Sequence, residues 1–332
     1  MQKAYSILLS LTLGLALLVI VLGAYTRLSD AGLGCPDWPG CYGHLAVPEA
    51  VDGAQFQRPL ETGKAWKEMI HRYAAGTLGM LILGIWVFSV WFRRRLVGGV
   101  LMPSLLLGTV LFQAALGMWT VTHLLSPPIV TAHLLGGFTT LALVWWLWLN
   151  QHRPRFSTLY HQLTTVRGLA LGALLLLIGQ ILLGGWTSTH YAAVACGVEF
   201  PLCHGEWWPA SDFRSAFVFD WQPGTNYEFG TLDNPARTAI HLMHRLGALL
   251  VFVYLGGLAL WLISKRSVLF GSVPYVLLLV LFIQVSLGIS NVVFALPLVV
   301  ATLHTLGAAL LLLTVLALNH GLYPARVSSA RV

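Results

Sequence analysis

The sequence predicts an all-α polytopic membrane protein with eight transmembrane helices, arranged as two tandem, pseudo-symmetric four-helix bundles. Three observations lead there. Of 332 residues, 57% are hydrophobic and only 9% are charged, far below the roughly one quarter that a water-soluble domain carries. Eight continuous apolar runs are each long enough to cross about 30 Å of hydrocarbon, and they lack the short alternating segments of a membrane β-barrel. The chain also repeats itself, four runs to each half.

The runs follow in order. The first, 6–26, is preceded only by MQK; it is too long for a signal-peptide core and no small-x-small cleavage site stands before Arg27, so it reads as a retained span. The second, 71–92, is entered through EMIHR (68–72), which sets three ionisable side chains at its doorstep. The third, 99–120, ends in LGMWT, and the fourth, 130–149, carries TAHLLGG near its start. A basic segment, 150–167, leads to the fifth, 168–187, which runs out into LGGWTSTH. The sixth, 239–263, is entered through TAIHLMHR (238–245). The seventh, 272–292, carries LGISN near its end, and the eighth, 299–318, carries TLHTLGA near its start.

These segments pair across the halves. LGAYTRLS (22–29) resembles LGGWTSTH (183–190), IHR (70–72) resembles MHR (243–245), and LGMWT…TAHLLGG (116–137) resembles LGISN…TLHTLGA (287–308). An even number of spans per half gives both copies the same orientation, so the repeat axis lies close to the membrane normal. The expected division is residues 1–150, a cytoplasmic linker at 151–167, and residues 168–332. Gly76, Gly79, Gly136, Gly137 and Gly247 are expected to let helices approach closely.

Charge sets the topology. With the N-terminus inside, the cytoplasmic segments hold Lys3, Arg93, Arg94, Arg95, Arg153, Arg155, Arg167, Lys265, Arg266, Arg326 and Arg331, and none of the 12 acidic residues. That Lys/Arg bias is the orientation signal. It also disposes of nucleic acid as a partner: the pI of about 9.4 reflects a thin positive layer facing anionic lipid. All four cysteines fall outside, Cys35 and Cys41 flanking PDWPG, Cys196 and Cys203 flanking GVEFPL. Two local pairs in an oxidising compartment favour two loop disulfides, with free, metal-binding or exchanging thiols as the alternatives. The outer segments 27–69 and 188–237 also hold tryptophans in PDWP and EWWP, either interfacial anchors or covers for a bound group.

The sequence has twelve histidines. His44, His123, His190 and His204 lie in outer loops, and His152, His161 and His320 on the cytoplasmic side. His71, His133, His241, His244 and His304 sit at or just inside even-numbered spans, and His71 matches His244 as His133 matches His304. Within a half the two imidazoles come from different helices at similar depth. Two neutral imidazoles on opposite faces of a flat apolar ring are what a haem needs inside a four-helix bundle. Zinc would want four ligands, and two histidines do not supply them. Arg72 and Arg245 follow a histidine each; they meet haem propionates or snorkel to lipid phosphate. The halves differ at one place. Glu68 stands three residues before His71, where the second half has His241 before His244. A carboxylate beside one ring only points to a chemically active first half, the alternative being an interfacial group paired with Arg72 or Lys67.

In LGAYTRLSDAGLGCPDWPGC, EMIHR, TAHLLGG, LGGWTSTH, MHR and TLHTLGA, in that order, the sequence resembles the haem A synthase family along essentially all eight spans. The resemblance implies a bacterial inner-membrane oxidoreductase, both termini cytoplasmic and its haem sites near the outer face. It would convert haem O to haem A by oxidising the C8 methyl group to a formyl group through hydroxylated intermediates, with water as oxygen source. It further implies substrate porphyrin in the first half at His71 and His133, and haem b in the second, ligated by His244 and His304 beside Arg245. Arg72 is the candidate for the substrate's propionates, and Glu68 matches the family's acidic position. The cysteine pairs Cys35–Cys41 and Cys196–Cys203 match the family's pairs. A haem O synthase is the implied supplier, and the electron acceptor is left open. A dihaem quinol oxidoreductase, a haem transporter and an outer-face thiol oxidoreductase are the rival classes. The first would modify no porphyrin, the second would want broken spans, and the third would depend on Cys35 rather than on His244.

Overall fold

The computed structural model describes residues 1–52, 56, 58–93, 99–152, 164–219, 222–265 and 270–322. Its elements are α1 (Gln2–Leu28), α2 (Thr62–Trp91), α3 (Leu101–Thr122), α4 (Pro127–His152), α5 (Thr164–Thr189), the short α6 (Phe213–Ala216), α7 (Asn234–Ser264), α8 (Val273–Val293) and α9 (Leu298–Gly321). All but α6 are long and apolar enough to cross a membrane. Among the described residues there is no strand, only isolated bridges at Cys41–His44 and Cys203–Glu206. The eight expected spans are therefore all present as helices. Arg94, Arg95, Arg153, Arg155, His161, Arg266, Arg326 and Arg331 lie outside the described residues.

The helix ends depart from expectation where polar residues are buried by something other than lipid. α2 starts at Thr62 and α7 at Asn234, well before 71 and 239. EMIHR is thus an interior turn of α2, not its doorstep. The extra turns pack beneath the disulfide loops: Ala65, Glu68 and Met69 are buried there, and a Cβ on Gly34 would lie 2.7 Å from the Lys64 carbonyl carbon. At α7, Pro235 follows an Asp233 cap whose side chain accepts from the Ala236 N–H, a favourable helix start. The segment expected as linker also shrinks. α4 runs to His152 and α5 begins at Thr164, so Arg167 is helical and donates from Nε to the Leu322 carbonyl at 2.9 Å. α6 has no apolar signal of its own. Asp212 caps it, accepting from the Arg214 and Ser215 N–H groups, and these bonds with the Ser215 hydroxyl hold its carboxyl below the usual range.

Each set of four long helices closes into a ring. α1 packs on α2, α2 on α3, α3 on α4 and α4 on α1; likewise α5 on α7, α7 on α8, α8 on α9 and α9 on α5. The seam between the rings joins α1 to α9, α4 to α5, and α4 to α9. Under the repeat, α1 corresponds to α5 and α4 to α9. The first two contacts are therefore copies of each other and the third is its own copy, the pattern of a two-fold axis. One apolar core, including Leu9, Ile82, Leu141, Leu177, Leu255 and Leu311, runs through both rings.

The backbone repeats as faithfully as the sequence. Left-handed residues recur as Asp30 with Tyr191, Tyr42 with His204, Gly43 with Gly205, and Leu124–Leu125 with Ala295–Leu296. The last two pairs form tight turns into α4 and α9. Non-glycine residues rarely adopt positive φ, so their recurrence at matched places marks one fold used twice.

Candidate functional site

Each disulfide loop folds over the first turns of the next long helix, α2 for the first loop and α7 for the second. Cys35 is bonded to Cys41 and Cys196 to Cys203, with Cα–Cα separations of 4.8 and 4.6 Å. Inside the first loop the Asp37 carboxylate accepts from the N–H groups of Tyr42 and Gly43, at 2.6 and 2.8 Å. Glu199 does the same for Gly205 in the second, at 2.6 Å.

The two arginines serve these loops. Arg72 donates from Nη1 to the carbonyls of Asp37 (2.9 Å), Pro39 (3.3 Å) and Gly40 (2.5 Å), and from Nη2 to Glu68. Arg245 donates from Nη1 to the carbonyls of Pro201 (3.3 Å) and Leu202 (3.0 Å), and from Nη2 to Glu199 (3.0 Å). Neither stands at a helix N-terminus, since Arg72 lies ten residues into α2 and Arg245 eleven into α7. Helix N–H groups therefore do not join these guanidiniums in an anion site, and their first role is to tie loop to helix.

Glu68 and His241 also do the same job. The Cys35 N–H donates to Glu68 Oε2 at 2.9 Å, while Arg72 takes the other oxygen. The Cys196 N–H donates to His241 Nδ1 at 3.4 Å, and Arg245 Nε reaches His241 Nε2 at 3.1 Å. Both side chains are buried, 4% and 3% exposed. Position 68/241 is a latch between disulfide loop and helix in both halves; what differs is that Glu68 brings a carboxylate.

His71, His133, His244 and His304 lie deeper, on α2, α4, α7 and α9, each turned against a glycine of the preceding long helix. A Cβ built on Gly23 would lie 2.9 Å from His71 Cε1, on Gly117 3.4 Å from His133, on Gly184 3.3 Å from His244, and on Gly288 3.1 Å from His304. His71 and His133 stand on helices of one ring, and His244 and His304 on helices of the other. The Nδ1 atoms of His71, His133 and His304 are buried with no hydrogen-bond partner among the described residues. A buried ring nitrogen without a partner is costly unless something binds it.

Among the described residues no group of three or more His, Cys, Asp or Glu could hold a bare metal ion. The donor set fits a group that carries its own in-plane ligands and takes one imidazole on each face, which is haem.

Three residues escaped the sequence reading. Gln113, Gln180 and Gln284 each stand four residues before one of these glycines. The Gln180 amide nitrogen is 3.1 Å from His244 Nδ1 and donates to the His244 carbonyl at 3.0 Å; the Gln284 amide nitrogen is 3.3 Å from His304 Nε2. The recurring Q-x-x-x-G spacing at 113–117, 180–184 and 284–288 was the available signal. Of the glycines singled out for packing, Gly136 and Gly247 meet Gln113 and Gln180, whereas a Cβ on Gly76, Gly79 or Gly137 would meet nothing within 4 Å. Trp38, Trp207 and Trp208 are exposed, as interfacial anchors are. His190 is buried against Trp186, and burial pushes its imidazole below the usual range.

The loops also join across the halves. Arg58 pairs with Glu228 at 2.6 Å, Arg27 donates to the Ser188 carbonyl at 2.6 Å, and the Tyr191 hydroxyl donates to Asp30 at 3.0 Å. Leu33, Gly34, Arg58, Pro59, Glu61 and Glu228 border a polar cavity of about 260 Å³ at this junction.

Residues 6–316 match the family described as cytochrome oxidase assembly protein. The chain is 46% identical to the Heme A synthase of Shewanella oneidensis, over 98% of both chains. It is 29% identical to that of Paracoccus denitrificans, over 93% of this chain and 86% of the relative. With that of Nitrosospira multiformis the identity is 27%, over 97% and 94%.

Proposed function

The chain belongs to the cytochrome oxidase assembly protein family and is a multi-pass membrane oxidoreductase of the haem A synthase class, and from that premise we propose how its two halves divide the conversion of haem O to haem A. The first half, residues 1–150, takes haem O between His71 and His133. The second, 168–332, holds a resident haem b between His244 and His304. Both termini and the connecting segment lie in the cytoplasm, and the porphyrin sites lie toward the outer face beneath the disulfide loops. A haem O synthase in the same membrane supplies the substrate.

The reaction is an oxidation of the C8 methyl carbon with water as oxygen source. Removal of two electrons and addition of water gives the hydroxymethyl group. A second such round gives the geminal diol, which loses water to leave the formyl group. Each round also sheds protons. Glu68 is placed to take one: it is buried one helical turn from His71 and is the one carboxylate in a latch position that is otherwise duplicated. Arg72 and the Cys35 N–H fix its two oxygens, so its orientation does not depend on substrate. With Arg72 and Arg245 already holding the loop carbonyls, propionates reaching the site would join an existing guanidinium network. Haem b, when bound, supplies one-electron chemistry, and the electron acceptor beyond it is an open partner.

The observation that carries this reading is the pair of imidazoles on different helices of each ring, with the Nδ1 atoms of His71, His133 and His304 buried and without a partner among the described residues. The test is extraction of pigments from purified protein, with mass analysis before and after turnover. Modified porphyrin should vanish in His71→Ala and His133→Ala while haem b persists, and haem b should vanish in His244→Ala and His304→Ala. Haem b retained in both second-half variants would defeat the assignment.

A further inference from the structure

Three of the four histidines share one sequence pattern, and the fourth departs from it. Three are followed, three residues on, by a glycine: His133 by Gly136, His244 by Gly247, His304 by Gly307. Opposite each glycine, on the preceding long helix, lies a glutamine whose amide occupies the space a Cβ would take: Gln113 over Gly136, Gln180 over Gly247, Gln284 over Gly307. At His71 both members change together. Ala74 replaces the glycine and Val19 replaces the glutamine. The two substitutions suit each other sterically, because the alanine methyl fills the notch that an amide would otherwise need.

The consequence reaches the rings. In the second half both imidazoles touch a glutamine amide, Gln180 at 3.1 Å and Gln284 at 3.3 Å. In the first half neither does: the Nδ1 atoms of His71 and His133 and the Gln113 amide nitrogen have no hydrogen-bond partner among the described residues. An amide can donate to a ring nitrogen or, turned over, accept from one, so it fixes an imidazole whichever nitrogen carries the proton. Rotation about the outer histidine torsion is otherwise soft, and a ring that swings freely is a poorer ligand.

We propose that Gln180 and Gln284 are positioning residues that clasp the second-half imidazoles and make that haem resident, whereas Val19 with Ala74 leaves His71 as the ligand from which the substrate porphyrin comes and goes. The inference rests on the division of labour above and adds its physical cause. A site that must release product each cycle needs at least one weakly fixed ligand; a site that keeps its cofactor does not. Loss of such outer partners costs a metal site about 10- to 100-fold in affinity.

The experiment measures transfer of haem from the full-length protein, loaded with iron protoporphyrin IX, to excess apomyoglobin. Wild type should release in two phases, the slow one absent in His244→Ala. Gln180→Val with Gly247→Ala, which copies the His71 surroundings, should speed the slow phase about 10- to 100-fold and shift its low-spin electron paramagnetic resonance g-values; Gln180→Glu, an acceptor at the same reach, should restore both. Val19→Gln with Ala74→Gly should slow the fast phase by a similar factor and lower steady-state turnover while sparing a single turnover. This gain of retention also guards against a loss that merely reflects misfolding. Wild-type rates and g-values in both double variants would overturn the clasp while leaving the two-site reading intact. A single release phase untouched by His244→Ala would overturn the two-site reading and the clasp with it.

Discussion

Glu68 and His241 show how one position can keep a structural duty while its chemistry changes. Both receive the N–H of the first cysteine of a disulfide loop and both face an arginine four residues on. Glu68→Gln retains an oxygen for the Cys35 N–H, so the loop should stay latched and haem should stay bound. Haem A production should nevertheless fall by two orders of magnitude or more, in line with the usual worth of a positioned acid–base group; normal turnover would remove Glu68 from the reaction. Arg72→Ala strands a buried carboxylate and three loop carbonyls, and breaking such a pair costs about 3–5 kcal/mol. Arg245→Ala, whose partner is an imidazole, should cost visibly less in the same unfolding titration. The sequence made the glutamate conspicuous because a charge at a span is rare. It concealed the shared latch, because that depends on a backbone N–H that side-chain identity does not report.

At the scale of the helix, eight spans could be read directly, because uninterrupted apolar runs of this length have little other use. The first turns of α2 and α7 could not. TGKAWKEM carries Lys64, Lys67 and Glu68, which by hydropathy belong outside a span; the loop above them, not lipid, provides the burial. The histidines were visible by their matched places, whereas Gln113, Gln180 and Gln284 read only as interruptions of apolar runs until their contacts were known. The glycines opposite the rings are a further determinant. Gly288→Ala would set a methyl 3.1 Å from His304 Cε1, tighter than ordinary contact. Overpacking of this kind costs about 1–3 kcal/mol, and haem b retention should drop accordingly. Gly137→Ala, which meets nothing within 4 Å, is the matched control and should bind haem as wild type does.

For the molecule as a whole, the outer loops and the helix rings bear different loads. Replacing Cys35 and Cys41 together by serine frees a short loop, worth about 2 kcal/mol of unfolded-chain restriction. The denaturation midpoint should fall while turnover per folded molecule is kept, if the bond only clamps; loss of turnover at full haem content would give the thiols a redox part. The Arg58–Glu228 pair joins the loops of the two halves but is partly exposed, so Arg58→Ala should lower stability by no more than about 1 kcal/mol. The seam beneath, where α1 meets α9 as α5 meets α4, has the self-complementary form of a homodimer interface. In a true homodimer any substitution lands in both subunits at once, so two identical pockets would have to bind and release alike. Joining the subunits in one polypeptide removes that constraint: Val19 can part from Gln180 and Glu68 from His241, and one ancestor can furnish both a workbench and a fixture.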